Sequence, residues 1–200
     1  MASLPADWLC AGGAAAGQEL GNLTHDAGAV LADQFDRKVA FVGRGTKVSR
    51  DHFEWKLFVA RKRFGIEIGK CGLTEQGFIY VCSLSAKTVV YKGLLLADQV
   101  DKYYPDLSDE KMTSALALVH QRYSTNTFPT WDLAHPFRYI AHNGEINTLR
   151  GNINGMRARE TQFVSDVFGD DLPKVLPVID DAGSDSAMFD NVLEFLVLAG

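Results

Sequence analysis

The sequence predicts an α+β layered domain, on three observations. Two clusters of strand-like sequence stand apart in the chain, one around residues 78–92 and one around residues 114–142. Segments with helical spacing of apolar residues separate and follow them. With 46% hydrophobic residues in a length of 200, there is enough apolar side chain for one core.

Residues 1–50 are rich in Ala and Gly, show weak periodicity and carry little diagnostic pattern. From Asp51 the signals sharpen. Asp51 with Glu54 three residues on forms a capping-box pattern, and Phe53, Leu57, Ala60 and Phe64 fall on one helical face. Phe53, Trp55, Leu57 and Val59 also alternate like a strand; the helix is the preferred reading. Strands are expected at Phe78–Ser83 and Thr88–Lys92, joined by a short polar turn, then a helix over Leu94–Tyr103 stopped by Pro105. Ser114–Tyr123 reads as a buried strand and Phe137–His142 as another. Asn147–Phe163 fits a helix with Asn147 as its cap, and Asp185–Leu198 fits a helix with Met188, Val192, Phe195 and Leu196 at helical intervals.

The formal charge of −5 argues against nucleic acid or an anionic membrane as partner. The short cationic run Arg61-Lys62-Arg63 reads as a solvated face. Cys10, Cys71 and Cys82 make an odd number without paired metal spacing, which favours a reducing compartment and speaks against zinc. The opening residues lack a secretory signal pattern, and no apolar run reaches the roughly 20 residues a membrane helix needs. The chain is therefore expected in the cytoplasm. Its last helix breaks off at Ala199-Gly200 within an apolar run, which reads as a piece of something larger.

The chemistry-bearing residues concentrate between His120 and Arg150. His142-Asn143-Gly144-Glu145 follows an expected strand and precedes an expected helix. An Asn amide beside a glycine N–H supplies two donors that can converge on one oxygen, the composition of an oxyanion hole. The alternative is a plain Asn-Gly turn. Arg122, flanked by Tyr123, Ser124 and Thr125, suits bidentate capture of a carboxylate, or a structural salt bridge. In Gly183-Ser184-Asp185-Ser186, Ser184 or Asp185 can cap a helix, or Asp185 can accept hydrogen bonds from an ammonium group. Arg122 and Asp185 together would hold an amino acid by its two charged ends. His120, His135 and His142, spaced fifteen and seven apart, match no helical or hairpin metal-ligand pair. No GxSxG elbow is present, no cysteine sits in a recognisable catalytic context, and removal of Met1 would expose Ala2, which has no nucleophilic side chain.

The strings HQRYSTNTFPTWDLAHPFRYIAHNGEINTLRGNINGMRARE and GSDSAMFDNVLEFLVLAG closely resemble the glutamine amidotransferase domain of the glutamate synthase large chain, as does FIYVCSLSAKTVVYKGLLLADQ. The resemblance runs from about Glu54 to Gly200 and divides the chain into a weakly diagnostic part, 1–50, and a partial glutaminase domain, 51–200. It implies a class II amidotransferase with the N-terminal-nucleophile hydrolase fold, a four-layer αββα sandwich, incomplete here. It implies that Arg122 binds the glutamine α-carboxylate with Tyr123 and Thr125 shaping the pocket, that Asn143 and the Gly144 N–H form the oxyanion hole, that Asp185 holds the α-amino group, and that His135 lines the same pocket. In the family an N-terminal cysteine is the nucleophile, and ammonia passes to a synthase domain carrying FMN and an iron–sulfur cluster, where 2-oxoglutarate becomes glutamate. A small reductase subunit or ferredoxin would supply electrons. Two departures stand out: Gly155 where members usually carry Trp, and no cysteine here in the nucleophile's context. The chain is thus expected to be an internal fragment, inactive alone; a non-catalytic glutamine-binding or regulatory module is the alternative.

Overall fold

The computed structural model describes residues 49–70, 79–121, 130 and 132–200, and the regular structure among them is helical. Four α-helices are described: α1 (Arg50–Lys70), a single turn α2 (Val100–Tyr103), α3 (Leu149–Glu160) and α4 (Asp185–Ala199). Short 3-10 segments flank α2 at Ala97–Gln99 and Pro105–Ser108, and a longer one, Gly169–Lys174, lies between α3 and α4.

Helix α1 starts at Ser49, not at the Asp51/Glu54 box. The Ser49 hydroxyl accepts from His52 N at 3.1 Å and its carbonyl from Phe53 N at 3.0 Å. Asp51 is already inside the first turn, where its charge suits the helix dipole, and it pairs with Lys87 at 2.7 Å. Glu54 turns away to accept from the Ser85 hydroxyl and, at 2.8 Å, from Ala86 N. The expected solvated face at 61–63 also resolves differently. Consecutive helical residues point about 100° apart, so three cations in a row cannot share a face. Arg61 is buried against Glu194, Lys62 donates to the carbonyls of Pro177 and Val178, and Arg63 is the exposed member, paired with Glu67.

Trp55, Phe58 and Val59, at one helical spacing, meet Phe168, Leu172, Val175, Val178 and Phe195 in the main apolar cluster. Phe168 and Phe195 stack with centroids 5.5 Å apart, and Trp55 meets Phe168 edge-on at 5.8 Å. Each such buried side chain contributes about 1.5–3 kcal/mol, which fixes α1, the Gly169–Lys174 turn and α4 together.

None of the expected strands is present among the described residues. At 79–92 the anticipated turn exists, but side chains hold it. Val90 N donates to the Ser83 hydroxyl, and Lys87 N and Thr88 N to that of Ser85. Residues 137–140 form a tight turn closed by Phe137 N to Ile140 O at 2.9 Å. Its amides are consumed by one carboxylate: Arg138 N, Tyr139 N and Ile140 N all donate to Asp190, at 3.2, 2.8 and 3.1 Å. A donor spent on a side chain cannot serve a ladder. Ser114–Gln121, the described part of the third expected strand, is exposed, with Leu116 and Val119 81% and 79% accessible, so apolar content there does not translate into burial.

The helix expected at 94–103 begins with the 3-10 turn at Ala97, and Pro105 opens the next 3-10 segment, where its missing N–H costs nothing. Helix α3 is shorter than expected. Thr148, in the left-handed region at φ 59°, precedes it without a side-chain cap, and Asn147 accepts from the Asn152 amide through its own carbonyl. At α4, Ser184 is the cap, its hydroxyl accepting from Ala187 N at 3.2 Å.

Candidate functional site

Helix α4 carries Ser186, Asp190 and Glu194 at a spacing of four, so they line one face of an otherwise apolar helix. All three are buried, Asp190 completely. This polar stripe organises the neighbouring segments. Glu194 pairs with Arg61 of α1 and lies 3.9 Å from Arg138 Nε. Asp190 gathers the three amides of the 138–140 turn and has Arg138 Nη1 at 3.9 Å. Burial is the largest influence on the Asp190 carboxyl and holds it above the usual carboxylate range against the Tyr139 and Arg138 amides. Arg138 itself donates to Tyr80 Oη at 3.1 Å and Val81 O at 2.9 Å, which ties the 79–83 segment to the same stripe.

The turn around Asp190 delivers the chain into His142-Asn143-Gly144. Ser186, at the start of the stripe, meets His142 Nε2 at 2.8 Å, and its hydroxyl reaches Asp185 Oδ1 at 3.1 Å. Asp185 also accepts from Ser186 N at 2.6 Å and from Ile146 N at 2.7 Å. Partial burial opposes its ionisation, but the Ile146 and Ser186 N–H groups, the Ser186 hydroxyl and His142 outweigh it, so the carboxyl titrates below its usual range. It is an anion at neutral pH, as an ammonium acceptor must be. Asn143 lies on the outer side of this loop, its Oδ1 2.7 Å from His120 Nε2. Gly144 N donates to His142 Nδ1 at 3.0 Å. Gly144 does not adopt positive φ, and a Cβ there would meet the His142 ring at ordinary van der Waals distance, 3.4 Å.

His135 is buried at 7% exposure with both ring nitrogens lacking a hydrogen bond, after a cis bond to Pro136. It stacks on His120 at 4.6 Å, meets Phe137 at 4.5 Å and His142 at 5.9 Å. Burial, then the proximity of His120, His142 and Lys92, pushes its pKa down to about 4, so it is neutral at pH 7. Lys92 is itself buried, over the faces of Tyr80 and Phe137 at 4.6 and 5.0 Å, and burial lowers its pKa to about 8.

The loop carrying Asn143 and Gly144 is therefore brought together with Asp185 and His135. Arg122, Tyr123 and Thr125 lie outside the described residues. Among the described residues no group of three His, Cys, Asp or Glu side chains is arranged to hold a metal ion; His135 stacks on His120 and meets His142 edge-on. Cys82, half-buried, has its thiol pushed up by burial, and it offers no second thiol among the described residues for an iron–sulfur cluster. No helix of the described residues is long and apolar enough to cross a membrane. The residues that sequence reasoning missed are Ser186, Asp190, Glu194 and Arg138. The spacing of the first three at i, i+4 and i+8 shows that they share a face, but such a stripe ordinarily faces solvent, so their burial was not legible.

The chain is similar to known proteins over most of its length. The family of class-II glutamine amidotransferases matches residues 25–200. The glutamate synthase (NADPH) large chain of Bacillus subtilis is 56% identical over 167 residues, 83% of this chain and 11% of that protein. The glutamate synthase (NADH) of Saccharomyces cerevisiae is 52% identical over 148 residues, 74% of this chain and 7% of its relative. The ferredoxin-dependent, chloroplastic glutamate synthase of Spinacia oleracea is 42% identical over 152 residues, 76% of this chain and 9% of its relative. The chain thus spans about a tenth of the length of these relatives. With nearly the whole chain matched, this protein belongs to the class-II glutamine amidotransferases.

Proposed function

We propose that this chain is the glutamine-binding and oxyanion-stabilising part of a glutaminase domain. One observation carries the reading: Asp185 and the Asn143-Gly144 loop form a single hydrogen-bonded unit, through Ile146 N on one side and the His142–Ser186 contact on the other. A carboxylate held at fixed distance from two amide donors fits an amino acid with a side-chain carbonyl. Asp185 takes the α-ammonium, Asn143 and the Gly144 N–H take the oxygen of the side-chain amide, and Arg122 takes the α-carboxylate with Tyr123 and Thr125 around it. His135, uncharged at neutral pH, lines the pocket without adding a cation beside the ammonium.

In this reading residues 51–200 fold as part of a four-layer αββα N-terminal-nucleophile domain, in a longer cytoplasmic glutamate synthase. That protein would pass ammonia from glutamine to a synthase domain acting on 2-oxoglutarate. FMN and an iron–sulfur cluster would be held there and not by the residues described here. The electron donor is left open among NADPH, NADH through a reductase subunit, and ferredoxin, since relatives named for all three are similar to this chain.

The 200-residue chain alone is expected not to hydrolyse glutamine. Hydrolysis needs a thiolate beside a base, and the thiol of Cys82, the cysteine among the described residues, is shifted toward the protonated form. The test is calorimetric titration with L-glutamine alongside an ammonia-release assay. Binding that is lost in Arg122→Ala and Asp185→Asn, with no ammonia, is expected. Thiol-dependent ammonia release, or binding indifferent to both substitutions, overturns the reading.

A further inference from the structure

The Gly144 amide, half of the proposed oxyanion site, is occupied. It donates to His142 Nδ1 at 3.0 Å, and a single N–H cannot also serve a ligand. The contact is local, but its other side is not, because His142 Nε2 lies 2.8 Å from the hydroxyl of Ser186, a residue on α4 that is 1% exposed. The proton positions follow by elimination. An imidazole nitrogen that accepts from an amide carries no proton, so the neutral ring holds its proton on Nε2 and donates it to Ser186 Oγ. The Ser186 hydroxyl then donates onward to Asp185 Oδ1, 3.1 Å away. Donors and acceptors form one directed chain from Gly144 through His142 and Ser186 to Asp185.

We infer that His142 is a positioning residue that latches the Gly144 amide until a ligand's side-chain carbonyl replaces it, with Ser186 fixing the ring in its latching orientation. The inference rests on the glutamine-site reading above. Exchanging an imidazole acceptor for a neutral carbonyl gains little, whereas exchanging it for an oxyanion gains a charge-assisted bond about twice as strong. The latch opens in either case, so its cost falls equally on ground-state binding and on the tetrahedral intermediate, and its consequence is weaker glutamine binding.

Nitrogen-15 NMR of the full 200-residue chain tests this, with L-glutamine and L-norvaline as probes. Norvaline keeps both charged ends and lacks the side-chain amide. In the free chain at neutral pH, the His142 ring should be the Nε2–H tautomer. Glutamine should move the Gly144 amide and the His142 Nδ1 signals. Norvaline should move the Ile146 and Ser186 amides beside Asp185 and leave Gly144 in place. His142→Phe, which keeps a ring but removes the acceptor, should tighten glutamine relative to norvaline roughly three- to ten-fold, the worth of one hydrogen bond. An Nδ1–H tautomer in the free chain overturns the latch, and that readout needs no variant. Responses to both ligands beside Asp185 with Gly144 silent also overturn the latch while sparing the glutamine site. Silence toward both ligands removes the glutamine reading, and the latch with it.

Discussion

Two faces of α4 do different work. One face sets Val192, Phe195 and Ala199 against the cluster of Trp55, Phe58, Phe168, Val175 and Val178, a region built mainly from apolar contact. The other sets Ser186, Asp190 and Glu194, equally buried, against Arg61, Arg138, His142 and the backbone of residues 138–140. The apolar face supplies stability that tolerates approximate shape, because burial is non-directional. The polar face supplies direction. Each of its groups is held by particular donors, and each failure leaves a buried charge or amide unpaired. The site loop hangs from the second face, which is why its residues are placed with hydrogen-bond precision while the fold as a whole rests on the first.

Substitutions can break this contrast in order of size. Asp190→Ala strips the acceptor from three amides and a charge from beside Arg138. It is expected to cost about 5 kcal/mol or more, and urea denaturation should find the variant largely unfolded. Phe168→Ala, at the centre of the apolar cluster, is expected to cost about 4 kcal/mol in the same measurement. It should leave the His142 tautomer unchanged in the folded fraction, since it touches only the other face.

A third test uses pH. The folded-state pKa of His135 is pushed down from 6.5 to about 4, so below pH 6.5 the unfolded chain binds a proton that the folded chain does not. Stability from this group is therefore intact above pH 6.5 and is lost progressively as pH falls toward 4, by about 3 kcal/mol in full. His135→Phe should flatten that part of a stability–pH curve. An unaltered slope would show that the buried, unpartnered imidazole is not its cause. The smallest effect concerns Gly155 of α3, where a Cβ would meet open space. Gly155→Ala should stabilise by about 0.5–1 kcal/mol through helix propensity, visible as a small rise in the urea midpoint.

Much of this was legible in the sequence, and unevenly so. Helices were legible from Asp51, over 147–163 and over 185–198, the first and last by apolar spacing although the first also alternates like a strand, and the cap of the last lay between Ser184 and Asp185. The 142–145 loop was legible only as residue types: Asn-Gly alone fits a plain turn, and the oxyanion reading came from the resemblance. The strands were misjudged because apolar alternation reports what a segment is able to do, while pairing depends on which acceptor reaches its amides. At 137–142 the Asp190 carboxylate, fifty residues away in sequence, took the donors. Arg61 was misassigned to solvent for a related reason: its partner, Glu194, is 133 residues distant, and no local window contains both. The Asp190 and Glu194 stripe was visible in the helical period, but which distant groups it would meet was not.

Hydrogen exchange at Arg138, Tyr139 and Ile140 tests most directly the claim that α4 holds the site loop through its polar face. These amides lie outside any helix or strand, yet each donates to a carboxylate with no solvent access. They should exchange as slowly as the amides of α1 that carry Trp55 and Phe58. Exchange at the rate of exposed coil would mean that Asp190 does not hold this turn, and the account of how the Asn143-Gly144 loop is positioned would fall.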